Sequence, residues 1–201
     1  AMQSRAVQWL LEAQPLDEGI LRGGTTVLLT WAGNNINTHH TGYEALLDAL
    51  TALESLMEAA GLEHRRDGLL YVRAVLRSNQ QDIKGALVSI DEAIDVKKRN
   101  DGFGWGYTMS TYRRVRLDKL QKLGHREDVE AEVAELLKGK IRQAERVELL
   151  TILARCAMKD GENELARARI QASLDVARMK GLEVEKNCLG AAVDIFRACR
   201  D

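Results

Sequence analysis

A small residue stands 12 positions ahead of another small residue at three places in this chain: Gly33 before Ala45, Ala74 before Ala86, and Ala154 before Ala166. Each time the second member opens an amphipathic run, with core positions 4 and 7 places further on: Ala49 and Ala52, Ile90 and Ala93, Ile170 and Ser173. Side chains three and four residues apart share one face of a helix, so these runs read as helices. A small residue on each of two facing helices lets their backbones approach closely, and a constant interval between the two sets the length of the turn that joins them. The feature therefore restricts the chain to a series of helix pairs.

Composition agrees. One proline in 201 residues, 45% hydrophobic residues dominated by Ala and Leu, and 4% aromatics favour helices over strands and supply a core that argues against disorder. Lys and Arg (29) nearly balance Asp and Glu (30), leaving a formal charge of -1. No global field then draws in nucleic acid or an anionic membrane, so neither is expected as a partner. No apolar stretch approaches the roughly 18 residues of a membrane span, and no targeting peptide opens the sequence, which points to the cytoplasm. Cys156, Cys188 and Cys199 lie in helical patterns without CxxC spacing, as reduced, buried thiols do.

Start and stop signals predict about ten helices in a single domain over 1–201: pairs over about 25–60, 67–99, 106–137 and 144–180, and single helices over 5–14 and 184–200. Pro15 stops the first helix, and Gly23-Gly24 is expected to break the chain, with Thr25 or Thr26 capping a helix over 27–38. Gly61 reads as a C-terminal cap, Asp82 as an N-cap, and Gly124 and Asp160-Gly161 as turns. The third pair is degenerate, because Leu117 and Val129 take the places of the small residues. Single helices at both ends read as half-repeats of a longer protein, whose apolar faces at 9–13 and 189–196 favour self-association.

Anchored on Gly33, Ala74, Leu117, Ala154 and Ala191, the repeat interval is 37 to 43 residues, longer than the 34 residues of a strict tetratricopeptide unit. Leu70, Ala74, Ala86, Ile90 and Ala93, and again Leu150, Ala154, Ala166 and Ile170, nevertheless resemble the tetratricopeptide-repeat pattern, and the resemblance covers nearly the whole chain. The long units and the Ala- and Arg-rich stretch 165–181 look most like the divergent repeats of bacterial signal-transduction regulators of the MalT type. This resemblance implies an all-α fold: a right-handed superhelix of antiparallel helix pairs, a TPR-like α-solenoid whose concave face is lined by the first helix of each pair.

In that register Asn34 follows the small residue directly and faces the groove, where peptide-binding members hydrogen-bond the backbone or carboxylate of a ligand. Asn37 belongs to the same polar cluster, with Asn35, Thr38, His39, His40 and Thr41. Thr30 stands where the carboxylate-clamp subset carries lysine, so a chaperone C-terminus is not the expected ligand. The register also points Tyr71 and Ser78, Arg114 and Asp118, and Arg155 and Lys159 into the groove, where guanidinium groups suit carboxylates. The ligand-binding residues expected are thus Asn34, Asn37, Tyr71, Arg114 and Arg155.

No Ser/His/Asp, Cys/His or paired-carboxylate constellation has local support, so neither catalysis nor a cofactor is expected. His39-His40 lacks a second ligand pair at zinc-like spacing, so no metal is expected either. The alternating glycines and aromatics of 102–107 lack the strand of a dinucleotide fingerprint and the lysine of a phosphate loop; they read as an inter-repeat turn in which Phe103 and Trp105 pack. Acid-rich 126–135 followed by basic 138–146 reads as solvated helix faces. The function expected is a non-catalytic protein- or peptide-binding scaffold or sensor domain of a bacterial regulatory protein. The alternative is a small-molecule effector-sensing domain with a pocket bounded by Trp31, Asn34, Asn35 and His39.

Overall fold

A computed structural model of the protein describes Glu12 and residues 18–35, 43–100, 104–179 and 186–198, and every regular element among these is helical. Nine α-helices follow one another among the described residues: α1 (Glu18–Asn35), α2 (Tyr43–Ala59), α3 (Asp67–Asn79), α4 (Ile83–Arg99), α5 (Met109–Leu123), α6 (Arg126–Lys138), α7 (Gln143–Lys159), α8 (Asn163–Met179) and α9 (Lys186–Ala198). A short 3-10 helix at Glu63–Arg65 precedes α3. None of the described helices is long and apolar enough to cross a membrane. The helix expected over 5–14 lies outside the described residues, Glu12 excepted.

At 74–86 and 154–166 the 12-residue interval has a local cause; at 33–45 it marks no buried contact, because Ala45 is exposed and α2 turns Leu46 and Ala49 inward. At the turns between α3 and α4, α5 and α6, and α7 and α8, the residue 7 places after the first anchor enters the left-handed region: Gln81 (φ 64), Gly124 (φ 84) and Gly161 (φ 77). The N–H of the next residue then reaches back five positions: Asp82 to Arg77 (2.9 Å), His125 to Leu120 (3.0 Å) and Glu162 to Ala157 (2.9 Å). This is the Schellman closure of a helix end. Glycine enters the left-handed region freely because it has no Cβ, whereas Gln81 does so at a cost of about 1–2 kcal/mol. The residues that flank these turns, Ala74, Ala86, Leu117, Val129, Ala154 and Ala166, are all fully buried. Asp82 caps α4 as expected, accepting the Gly85 N–H at 2.9 Å.

Gly23-Gly24 does not break the chain: α1 runs straight through it. Leu21, Gly24, Thr25 and Leu28 are all buried on this stretch, and α1 packs on α2 and α3. The Thr25 hydroxyl, expected to cap a helix, instead donates to the Leu21 carbonyl one turn back (3.1 Å). Burial of two leucines, at roughly 1.5–3 kcal/mol each, outweighs a glycine penalty of about 1 kcal/mol per residue.

The chain divides into two compact units, 1–119 and 120–201, and the division falls within α5, the helix that carries Leu117 in place of a small residue. In the first unit α3 also packs on α2 and α4. One core cluster holds Leu21, Leu28, Leu46, Leu50, Met57 and Leu69; another holds Leu70, Ala74, Ile90, Ala93 and Tyr112. The end of α3 is tied to the start of α4, where Arg77 donates to the Gly85 carbonyl at 3.0 Å. In the second unit α7 packs on α6, and α7, α8 and α9 pack on one another around Ala154, Ala157, Ala166, Ile170, Ala191 and Ile195.

Candidate functional site

Asp67 opens α3 and is 0% exposed. Its place on the helix explains the burial: Leu70 and Ala74 follow 3 and 7 residues later, so Asp67 lies on the core stripe. Lys97 stands on the core stripe of α4, 4 and 7 residues after Ala93 and Ile90. A lone buried charge is prohibitive, so two opposite charges on facing stripes are stable only together. Lys97, 5% exposed, places Nζ 3.2 Å from Asp67 Oδ2. Three further donors complete the shell: the N–H groups of Trp105 (2.9 Å) and Gly106 (3.2 Å) and the hydroxyl of Tyr112 (3.0 Å).

The segment between α4 and α5 is therefore wrapped onto the first turn of α3, where negative charge also suits the helix dipole. This is why α5 starts at Met109 and not at 106 as expected: the backbone of 105–106 is committed to a carboxylate on another helix. Gly106 is needed here, since a Cβ would collide with the Tyr112 hydroxyl and come within 2.8 Å of the Gly68 Cα. Trp105, expected to pack between helix pairs, is half-buried against the first core cluster. Phe103 lies outside the described residues.

At the surface this network ends in an aromatic ridge. The Tyr112 oxygen accepts the N–H of Tyr107 at 3.0 Å, which holds Tyr107 with 40% of its surface exposed. Tyr71, one turn along α3 from Asp67, meets Tyr107 edge-on (centroids 4.9 Å apart, 67°) and stacks on Tyr112 (5.7 Å, 30°). Burial lifts the Tyr71 hydroxyl above the ordinary phenol value and Tyr107 adds to this, while the charge of exposed Arg114 on α5 opposes it. Tyr112 is raised much further, by burial first and then by the Asp67 charge and the hydrogen bond it donates to that carboxylate. Both phenols are thus neutral donors near neutral pH. Two rings with a guanidinium beside them can stack on flat or apolar groups and bind carboxylates. Further along α3 and α5, Lys119 Nζ donates to Ser78 (2.8 Å) and Asp118 (2.9 Å).

Of the five expected ligand-binding residues, Tyr71 and Arg114 come together here. Arg155 belongs to the second unit, half-buried on α7. Asn34 lies in the last turn of α1 with its side chain outside the described part, as do those of Trp31 and Asn35. Asn37 and His39 lie outside the described residues altogether, and with them the expected effector pocket. Asp67, Lys97, Tyr107 and Tyr112 escaped the sequence reading. The signal available for the first two is the pair of opposite charges on neighbouring core stripes.

In the second unit the polar assemblies serve packing. Arg126 at the start of α6 binds Glu130 (3.0 Å), Asp160 (3.0 Å) and Glu162 (2.7 Å), and Arg169 binds Glu130 (3.0 Å). The hydroxyls of Thr151 and Ser173 both donate to the Val147 carbonyl (2.8 and 2.9 Å), with the Cys188 sulfur 3.3 Å from Thr151. Cys156 and Cys188 are buried thiols, and burial pushes Cys156 above its ordinary value; Cys199 lies outside the described residues. Among the described residues no three His, Cys, Asp or Glu side chains gather as metal ligands. No protein-family model, curated protein or solved structure matches the chain.

Proposed function

We propose that this chain is a non-catalytic binding scaffold of the tetratricopeptide-like kind, a right-handed superhelix of antiparallel helix pairs belonging to a bacterial regulatory protein. It takes an extended peptide or protein segment on the face lined by the first helix of each pair. One observation carries the reading: in the first unit Tyr71 of α3, Arg114 of α5 and Tyr107 of the intervening loop converge on one exposed patch, anchored from below by Asp67. Supporting it, first helices lie beside first helices within a unit, α1 on α3 and α7 on α9. Exposed tyrosine and arginine are the residue types on which binding energy concentrates, because they offer large contact area and directed hydrogen bonds at modest entropic cost. The partner segment implied carries a carboxylate next to an aromatic, proline or aliphatic side chain.

The test is fluorescence anisotropy of the full chain against a library of extended peptides that varies acidic and apolar positions. Binding should favour acidic-apolar segments and weaken roughly tenfold or more in Tyr107→Ala and in Arg114→Ala, with helicity and melting unchanged. Equal affinity in both variants, or in the triple variant Asn34→Ala, Arg114→Ala, Arg155→Ala, rejects the assignment.

A further inference from the structure

Where the 3-10 helix Glu63–Arg65 meets the end of α4, the first unit holds a hollow of about 280 Å³ lined by Glu63, His64, Arg66, Val96, Arg99 and Asn100. Its floor is fixed. Val96 is buried, and the Asn100 side-chain amide donates to the carbonyls of His64 and of Val96 (3.0 Å to the latter), fastening the 3-10 helix to the helix end. Its rim is cationic. The Arg66 side chain acts on Glu54 through its charge and makes no hydrogen bond or ion pair with another described residue. Arg99 uses only Nε, which donates to the Asp95 carbonyl at 3.3 Å. The terminal nitrogens of both guanidiniums therefore have no protein partner among the described residues.

Among the described residues that line the hollow, two guanidiniums and an imidazole face one carboxylate, Glu63, so the lining favours an anion. Each guanidinium presents paired N–H groups in a planar fork that matches two oxygens of a phosphate, which a spherical ammonium cannot do. We infer that this hollow binds a phosphate group, with Arg66 and Arg99 as a two-sided clamp and His64 as a further donor. The inference stands apart from the Tyr71–Tyr107–Arg114 patch and does not rest on it.

The test is titration of the full chain with inorganic phosphate at constant ionic strength, followed by NMR of the arginine Nε–H and imidazole signals. Saturable shifts at Arg66, Arg99 and His64 are expected, weakened roughly tenfold or more in each of Arg66→Ala and Arg99→Ala and lost in the double variant. All four of the polar rim side chains are exposed, so these variants should fold. Arg142→Ala, at an exposed arginine of the second unit, should bind as the parent does. Sulfate should compete and acetate should not. Shifts that fail to saturate, persist in the double variant, or appear equally with acetate overturn the inference. Free phosphoserine and a phosphoserine peptide then separate the sources: equal binding assigns a small phosphate ester, and tighter binding of the peptide assigns a phosphorylated side chain.

Discussion

The two units join neighbouring helix pairs with charge used in opposite ways. In residues 1–119 a carboxylate is taken out of water entirely and surrounded by Lys97, Tyr112 and two backbone N–H groups, so that α3, α4, α5 and the loop before α5 all depend on one buried atom group. In residues 120–201 the charges of Arg126, Glu130, Asp160, Glu162 and Arg169 stay at the surface, and among the described residues the buried polar side chains are Thr151 and Ser173, whose hydroxyls donate to a helix carbonyl. A buried charge enforces a single arrangement because each missing donor leaves it unsolvated, whereas a surface network can exchange partners with water at little cost. The ordered aromatic ridge belongs to the first unit for this reason: Tyr107 is held by the same phenol that serves Asp67.

The largest expected effect tests that contrast directly. Asp67→Ala should cost about 3–5 kcal/mol in urea unfolding, because Lys97 is left as an uncompensated buried charge, with Asp67→Asn in between. An unchanged midpoint for Asp67→Ala would break the comparison. A middle-sized effect sharpens it, since both units use the same turn with different residues. Gln81→Gly should gain about 1 kcal/mol and Gly161→Ala should lose about 1 kcal/mol, both measured by thermal or urea unfolding. If both substitutions move stability the same way, Gln81 carries no strain.

The smallest effects concern acid and salt, and their signs differ between the units. Burial raises the Glu54 carboxyl by more than the charge and hydrogen bond of Arg73 lower it. The folded form then takes up this proton before the unfolded form does, so the contribution of Glu54 to stability grows as pH falls through the interval between the two values. Glu162 is held low by its hydrogen bond to Arg126; Glu130 is raised by burial, but the hydrogen bonds of Arg126 and Arg169 outweigh this and leave it low. Their contribution is complete above the ordinary value of 4.5 and is lost as pH falls through the depressed folded values. Melting curves across this range should therefore lose part of their acid slope in Glu130→Gln and show the reverse change in Glu54→Gln. Arg126→Ala should lower the melting temperature slightly at low salt and not at high salt, where exposed pairs are screened.

Much of the fold was legible because its causes are local. Ala74, Gln81 and Ala86 lie within one 12-residue stretch, and the turn between them is set by a left-handed residue and one backward hydrogen bond. The cap at Asp82 and the stop at Gly61, whose φ is 68, are local in the same sense. The continuation of α1 through Gly23-Gly24 was not legible, since burial against α2 and α3 overrides the propensity of the glycines. Of the candidate site, Tyr71 and Arg114 follow from helix register. Tyr107 does not, because its loop is placed by contacts with a residue 38 and 39 positions earlier.

By itself the sequence determined that the described residues are helical, where most of their helices begin and end, and that the anchors of α3, α4, α7 and α8 face inward, because periodicity, capping and turn chemistry act over a dozen residues or fewer. Only the tertiary structure decided that a carboxylate would be buried at the start of α3, that the loop before α5 would fold back to it, and that three tyrosines would gather above it. Those outcomes rest on desolvation and on hydrogen bonds between groups 30 to 45 residues apart, whose energies exist only once the helices that carry them have packed.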